Sequence, residues 1–200
     1  MKKSGIMNKM LLGISLLMCA IVRTEYIRYT PAWLRQHDVI GFGNTEGQAA
    51  FIEYFYHNHK LPDFDPRTLW GFFQPPLHHI LAALWIRFGT LLGISYDRAC
   101  ENVQILTLIY GFILLFYAYR IFKQLKITGM SLTVSMAVTA MHPSYILMSG
   151  SVNNDMLCIL LSVMAVFYFL KWNSGGRYTD IIKLALCVGC SMMAKLSGVL

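Results

Sequence analysis

Charged residues are scarce in this chain of 200 residues. Only 14% are charged and 56% are hydrophobic, against roughly 25% and 45–50% in soluble globular domains. The chain also lacks Gly/Pro/Ser-rich linkers, low-complexity tracts and internal repeats, which leaves one domain or a part of one. Its charges are confined between long apolar runs, which excludes a soluble protein with an unusually apolar core. The composition therefore predicts an all-α polytopic membrane protein.

A continuous basic stripe is also missing. The formal net charge is +7, but the basic residues are scattered beside apolar runs, which excludes a nucleic-acid partner and favours positive-inside topology. The five cysteines lie mostly in apolar stretches, so a disulfide framework is not expected. Cys187 and Cys190 have the spacing of half a redox or metal site, but without a second pair we interpret them as small helix-packing residues.

Five apolar runs approach the roughly 17 to 25 residues needed to cross a ~30 Å hydrocarbon core. They cover residues 6–22, 103–119, 130–148, 156–170 and 181–200. The first follows Lys2 and Lys3, but Arg23-Thr24-Glu25 provides no small-residue cleavage site, so we expect a retained anchor rather than a signal peptide. Because the last run reaches Leu200 without a polar tail, we expect the N-terminal part of one larger transmembrane domain.

A sixth apolar run, residues 77–94, decides the topology. With five spans and a cytoplasmic N-terminus, the basic residues between spans all fall on the cytoplasmic side, as the positive-inside rule prefers. They are Lys2, Lys3, Lys9, Arg120, Lys123, Lys126, Lys171 and Arg177. The run itself is amphipathic at helical spacing, which is typical of a helix lying at the membrane interface, with Trp85 at headgroup depth. The long loop 23–102 and the short loop 150–155 are then both extracytoplasmic, in the plasma membrane of the cell.

The long loop is rich in motifs. Residues 48–57 predict a short amphipathic helix, so the loop contains two membrane-hugging helices joined by proline-containing turns. Its order of motifs, together with those of the later loops, resembles the GT-C membrane glycosyltransferases, and in particular bacterial glycosyltransferase family 39, which is related to protein O-mannosyltransferases. The resemblance rests on His37-Asp38-Val39, a Gly-x-x-x-Phe-Ile-x-Tyr helix from Gly47, Leu61-Pro62, Gln74-Pro75-Pro76-Leu77, His142-Pro143 and Ser149-Gly150-x-Val152-Asn153-Asn154-Asp155.

This resemblance implies a GT-C-like fold and transfer of a sugar from a polyprenyl-phosphate donor to an extracytoplasmic glycan, lipid or protein acceptor. Asp38 matches the acidic position after the first span, where a carboxylate can take the proton of the acceptor hydroxyl. An ordinary Asp has a pKa of about 3.9, so burial would have to raise the pKa of Asp38, or the residue would act by orienting the acceptor. The alternative is that Asp38 caps a loop helix.

Further residues are candidates for substrate binding. His37 adjoins Asp38, His78 and His79 open the interfacial helix, and an imidazole there could bind the donor phosphate or join a metal site. Adjacent histidines point about 100° apart on a helix, so we expect at most one to face the site. Lys60, Arg67 and Arg87 are placed to meet a lipid-linked phosphate, with a solvated surface charge as the alternative.

Three more candidates for substrate binding lie beyond the long loop: Asn154, Asp155 and Lys195. Asp155 matches the acidic position of the second outer loop and is a candidate ligand for a divalent metal, the one cofactor that the resemblance suggests. Helix capping by Asn154 or Asp155 explains the same residues equally well. Lys195 lies within an apolar run, where a charge suggests function or snorkelling to the interface.

One position departs from the family pattern. Where related sequences commonly have Gly-His, this chain has Gly47-Gln48, which removes any role that depends on that histidine. A non-catalytic membrane protein, either a transporter component or a truncated glycosyltransferase-like chain, is the alternative function.

Overall fold

The regular structure is helical throughout the part of the chain described by a computed structural model, residues 2–31, 34 and 41–199. Nine α-helices lie in these residues: α1 Lys2–Tyr29, α2 Gln48–Asn58, α3 Leu77–Leu91, α4 Tyr96–Glu101, α5 Val103–Gln124, α6 Gly129–Ala140, α7 Pro143–Met148, α8 Asp155–Gly175 and α9 Tyr178–Ala194. Short 3-10 turns cover Pro66–Thr68 and Leu196–Val199.

Three helical stretches in the described residues are long and apolar enough to cross a membrane: Gly5–Tyr29, Tyr96–Gln124 and Asp155–Gly175. Shorter apolar helices accompany them, including Gly129–Ala140. Apolar side chains such as Ile14, Leu17 and Phe116 remain exposed on the outside of the bundle, where lipid would replace water as the solvent. The predicted all-α polytopic membrane fold is confirmed.

Helix α1 is longer than the predicted span 6–22, because the charge of Arg23 does not end it. The Arg23 side chain is buried, and its Nη1 donates to the carbonyl oxygen of Ala140 at 2.6 Å. The guanidinium is thus anchored through Nη1 inside the bundle rather than at the interface, and the helix continues to Tyr29.

The predicted span 130–148 is divided into α6 and α7. Pro143 has no N–H and disfavours a helical conformation at the preceding residue; His142 accordingly takes φ −61° and ψ 121°. The interruption releases the carbonyl oxygen of Ala140 from its helical partner, and Arg23 and Cys19 donate to it instead.

The last predicted span, 181–200, also ends early. Helix α9 stops at Ala194, and Lys195 takes the extended values φ −155° and ψ 140° before the chain enters the final 3-10 turn. This change of direction carries the Lys195 side chain toward the start of α8.

Helices α1, α6 and α9 run in one direction and α5 and α8 in the other, so the bundle has two distinguishable ends. At one end, which we call the basic end, Thr133 Oγ1 donates to the Asn8 carbonyl oxygen at 3.2 Å, and Gln124 Nε2 lies 3.4 Å from Ser174 Oγ. Lys9 and Lys123 line a surface recess there. At the opposite end, the loop end, Arg23 meets Ala140. The long loop leaves α1 and returns to α5 at the loop end.

Within the long loop, α2 packs against α3 through a core that includes Phe51, Phe72 and Ile86. The Gly47 N–H donates to the Trp70 carbonyl oxygen at 2.8 Å, and Gly71 has φ +88°. A Cβ on Gly71 would lie 2.6 Å from the Gly47 carbonyl carbon. Only glycine fits this crossing, which holds the entrance to α2 against the turn before α3.

Candidate functional site at the loop end

Asn154 joins three segments that are distant in sequence. Its side chain is buried at the start of α8, where Nδ2 donates to the Ala194 carbonyl oxygen at 2.7 Å and lies 3.4 Å from Gln74 Oε1. Gln74 belongs to the turn before α3, and Ala194 is the last residue of α9. The structure thus brings the Gln74-Pro75-Pro76-Leu77 motif, the residues before α8 and the end of α9 to one place, which we call the polar junction.

Asp155 and Lys195 form an ion pair beside Asn154, with Lys195 Nζ donating to Asp155 Oδ1. The side chains are 19% and 31% exposed, so the pair is half-buried at the surface of the polar junction. An ammonium group has three N–H donors. Lys195 can therefore keep its bond to Asp155 and still offer donors to an anion.

The capping alternative is decided in part by the same contacts. Asn154 occupies the N-cap position of α8, but its side chain makes no capping hydrogen bond, because its amide nitrogen donates to Ala194. The oxygen Oδ1 of Asn153 instead accepts the Asp155 backbone N–H at 3.2 Å. Asn153, one residue before the N-cap, thus satisfies the first N–H of the helix, and Asn154 is committed to the polar junction.

His78 and His79 both lie in the interior of the molecule, with no exposed surface. Neither ring faces an open site, which agrees with the expectation that at most one of them would. His79 Nε2 is hydrogen-bonded to Gln48 Oε1, and its ring packs against Phe51 in a tilted arrangement with centroids 4.6 Å apart. Burial lowers the pKa of His78 to about 4 and that of His79 well below its usual range. Both rings are therefore neutral at neutral pH, and neither supplies a cation for a phosphate.

Gln48 takes part in this contact at the position where the sequence resemblance would lead one to expect histidine. Its amide links the first turn of α2 to the first turn of α3, 31 residues later in the chain. The departure from the pattern thus gives Gln48 a structural role that needs no proton transfer.

Lys60 and Arg67 are exposed and pair with carboxylates of their own loop. Lys60 Nζ lies 2.6 Å from Asp63 Oδ2, and Arg67 Nη2 lies 2.8 Å from Asp65 Oδ2. Hydrogen bonds from Arg67 lower the pKa of Asp65 to about 2. These pairs support the interpretation of both residues as solvated surface charges. Within the part of the chain that the structure describes, neither contacts the polar junction.

His37 and Asp38 lie outside the described residues. Further along the loop, the Gly43 N–H donates to Glu53 Oε2 at 2.7 Å. The other carboxylate oxygen of Glu53 accepts the Tyr96 hydroxyl at 2.7 Å. Glu53 therefore fixes the backbone at Gly43 onto α2.

The metal hypothesis gains no further ligand from the structure. Over residues 2–31, 34 and 41–199, no three His, Cys, Asp or Glu residues are grouped so that they could hold a metal ion. Asp155 has its Oδ1 bound to an ammonium group, and the five cysteines, all in this part, are free thiols.

Sequence reasoning missed two residues of this region. Gln74 was part of a motif but was not singled out as a candidate. A glutamine directly before two prolines is held in a turn, and its side-chain amide needs a hydrogen-bond partner there. Arg23 was assigned to the loop boundary, and only the break before Pro143 explains its burial. Neither contact is local in sequence, so periodicity could not reveal it.

The fold and the polar junction define an all-α membrane protein with a polar site at one end of an apolar bundle. No protein-family model, curated protein or solved structure matches the chain.

Proposed function

We propose that the chain acts in a membrane glycosyltransferase of the GT-C type, which transfers a sugar from a polyprenyl-phosphate donor to an acceptor outside the cytoplasm. The proposal is carried by one observation: Asn154 bonds Ala194 and contacts Gln74, while the adjacent Asp155 pairs with Lys195. The Gln74 motif, the residues before α8 and the end of α9 thus meet at the end of the bundle from which the long loop emerges. The first two carry motifs of the family resemblance, and Lys195 was a candidate from the sequence alone.

The chemistry assigned to this site is a direct displacement. The acceptor hydroxyl oxygen attacks the anomeric carbon, its proton passes to the Asp38 carboxylate, and the bond from that carbon to the phosphate oxygen breaks. Polyprenyl phosphate leaves with the bonding electron pair. Lys195 is assigned to the leaving phosphate, because a positioned cation stabilises the negative charge that grows on it.

The proposed orientation places the loop end outside the cytoplasm. The basic end carries Lys9 and Lys123, in agreement with the positive-inside rule. A donor whose lipid chain lies in the bilayer would then present its sugar phosphate at the level of the polar junction.

The test is a transfer assay with the protein purified from its native membranes in detergent. Polyprenyl-phosphate sugars of defined head group are added, and release of polyprenyl phosphate is followed together with sugar incorporation into membrane extracts as acceptor. We expect turnover in the unmodified protein, and a loss of at least about 100-fold in Asp38→Asn, which keeps the size of the side chain and removes the base.

Asp97→Asn is the matched control, because this carboxylate of α4 is exposed and takes no part in the contacts that form the polar junction. Turnover that is the same in Asp38→Asn as in Asp97→Asn would reject the assigned base. Absence of turnover with every lipid-linked sugar would favour the non-catalytic alternative.

A further inference from the structure

A cavity of about 310 Å³ lies between α2 and α3, away from the polar junction. Its walls are apolar and include Phe55, Ile80 and Ala83. This volume is at the lower end of the roughly 300–1,000 Å³ typical of small-molecule sites. It suits a flexible hydrocarbon segment better than a polar metabolite.

The mouth of the cavity carries a cation held in place by the protein. Arg87 is half-buried, its Nη2 donates to the Tyr56 carbonyl oxygen at 2.9 Å, and the same nitrogen lies 2.7 Å from both ring nitrogens of His59. A guanidinium carries five N–H donors, so Nε and Nη1 remain for an anion.

The mouth of the cavity carries an excess of positive charge, which favours an anionic ligand. Lys60, which also lines the cavity, is neutralised by Asp63 at 2.6 Å. Among the residues that the structure describes, no carboxylate forms an ion pair with Arg87. The guanidinium is therefore available as the recognition element for a phosphate group.

The cavity adjoins an apolar surface. Leu84 lines it and is 54% exposed, and Phe88 and Leu91 continue the same stripe of α3 at helical spacing, 56% and 80% exposed. In a membrane protein such a stripe faces lipid. A hydrocarbon chain could thus pass from the bilayer along α3 into the cavity without crossing water.

We propose that this cavity is a binding site for one anionic membrane phospholipid, with an acyl chain between α2 and α3 and its phosphate on Arg87. The apolar walls, the positioned guanidinium and the adjoining lipid-facing stripe together specify an amphiphile with a negative head group. The site would anchor the long loop to the membrane surface. It does not depend on glycosyltransferase activity.

The test is lipid retention by the purified protein. The chain is delipidated in mild detergent and incubated with equal amounts of palmitoyl-oleoyl phosphatidylglycerol and phosphatidylcholine, and bound lipid is measured by native mass spectrometry. We expect one phosphatidylglycerol to be retained in preference. Arg87→Gln should reduce this preference about tenfold, the usual contribution of a charge-assisted hydrogen bond, and Arg87→Lys should keep most of it.

Arg98→Gln is the control of equal charge change, because Arg98 is exposed on α4 and should retain the lipid normally. Ala83→Phe fills the cavity while keeping the charge of Arg87, and should reduce retention of both lipids; circular dichroism confirms that each variant is folded. Equal retention of the two lipids, or an unchanged preference in Arg87→Gln, would overturn the proposal. Replacement of bound phosphatidylglycerol by a stoichiometric amount of added polyprenyl phosphate would assign the cavity to the donor chain and would also overturn it.

Discussion

Asn154 Nδ2 donates to the Ala194 carbonyl oxygen at 2.7 Å across 40 residues of sequence. This bond closes the loop end of the α8–α9 pair and leaves Lys195 directly beside Asp155. A buried side-chain amide that spans two helix ends fixes their relative position, because leaving it unpaired costs about 1–3 kcal/mol. The polar junction is therefore held together by a buried hydrogen bond between two helix ends.

Loss of one partner of the Asp155–Lys195 pair should destabilise the bundle. Lys195→Gln leaves a half-buried carboxylate without its cation, and we expect it to lower the free energy of unfolding by about 1–2 kcal/mol. The double variant Asp155→Asn/Lys195→Gln should recover part of that loss. Titration with SDS in mixed micelles measures both.

The exposed pair Lys60–Asp63 serves as the comparison. Lys60→Gln should leave the free energy of unfolding nearly unchanged, since exposed ion pairs contribute little. Equal effects of Lys60→Gln and Lys195→Gln would contradict a half-buried pair at the polar junction.

Gly71→Ala should disrupt the crossing between α2 and the turn before α3. The new methyl group would overlap the Gly47 backbone, and the residue has φ +88°. We expect the free energy of unfolding to fall by about 2 kcal/mol or more. A lower melting temperature and faster proteolysis of the long loop would show this loss. Gly93 has a similar φ of +84° but open space around it. Gly93→Ala should therefore lower the free energy of unfolding only by the cost of a positive φ, about 1 kcal/mol. Identical losses in both variants would exclude the close approach.

Stability should fall between neutral and mildly acidic pH because of the buried histidines. Folding lowers the pKa of His78 from 6.5 to about 4, so the unfolded chain binds the proton more readily. The contribution of the buried, neutral His78 to the free energy of unfolding is fully present above pH 6.5 and is lost as the pH falls toward 4. His78→Leu should reduce the loss of stability between pH 7.5 and 5 by about 1–2 kcal/mol.

Exposed His57 provides the control for this pH dependence. Unfolding of His57→Leu should follow that of the unmodified protein at every pH. If His78→Leu and the unmodified protein show the same pH dependence, His78 is not buried as the structure has it.

The fold was largely predictable from the sequence, and the site only in part. Apolar runs and the amphipathic pattern of residues 48–57 are local signals, and they gave α2 and the three long helices. Pro143 was visible but its effect was underestimated, because a proline can also be tolerated at a kink within a span. The partners of Asn154 and His79 depend on tertiary packing, which one sequence cannot provide.

Sidedness can be tested by labelling intact cells with a membrane-impermeant maleimide. Thr45→Cys lies in the long loop and Lys123→Cys at the basic end, and both positions are exposed. We expect only Thr45→Cys to react, with the unmodified protein as the background for the native thiols. Labelling of Lys123→Cys alone would invert the proposed orientation.

The central claim is that the polar junction binds the sugar phosphate of the donor, and the rate of transfer in Lys195→Gln tests it most directly. Release of polyprenyl phosphate is measured with equal amounts of folded protein for Lys195→Gln, the stability-compensated Asp155→Asn/Lys195→Gln and the opposite-end control Lys123→Gln. We predict a loss of about 100-fold or more in both Lys195 variants, the usual effect of removing a group that stabilises transition-state charge, and less than about a twofold change in the control. Turnover in Lys195→Gln within twofold of the unmodified protein would contradict the claim.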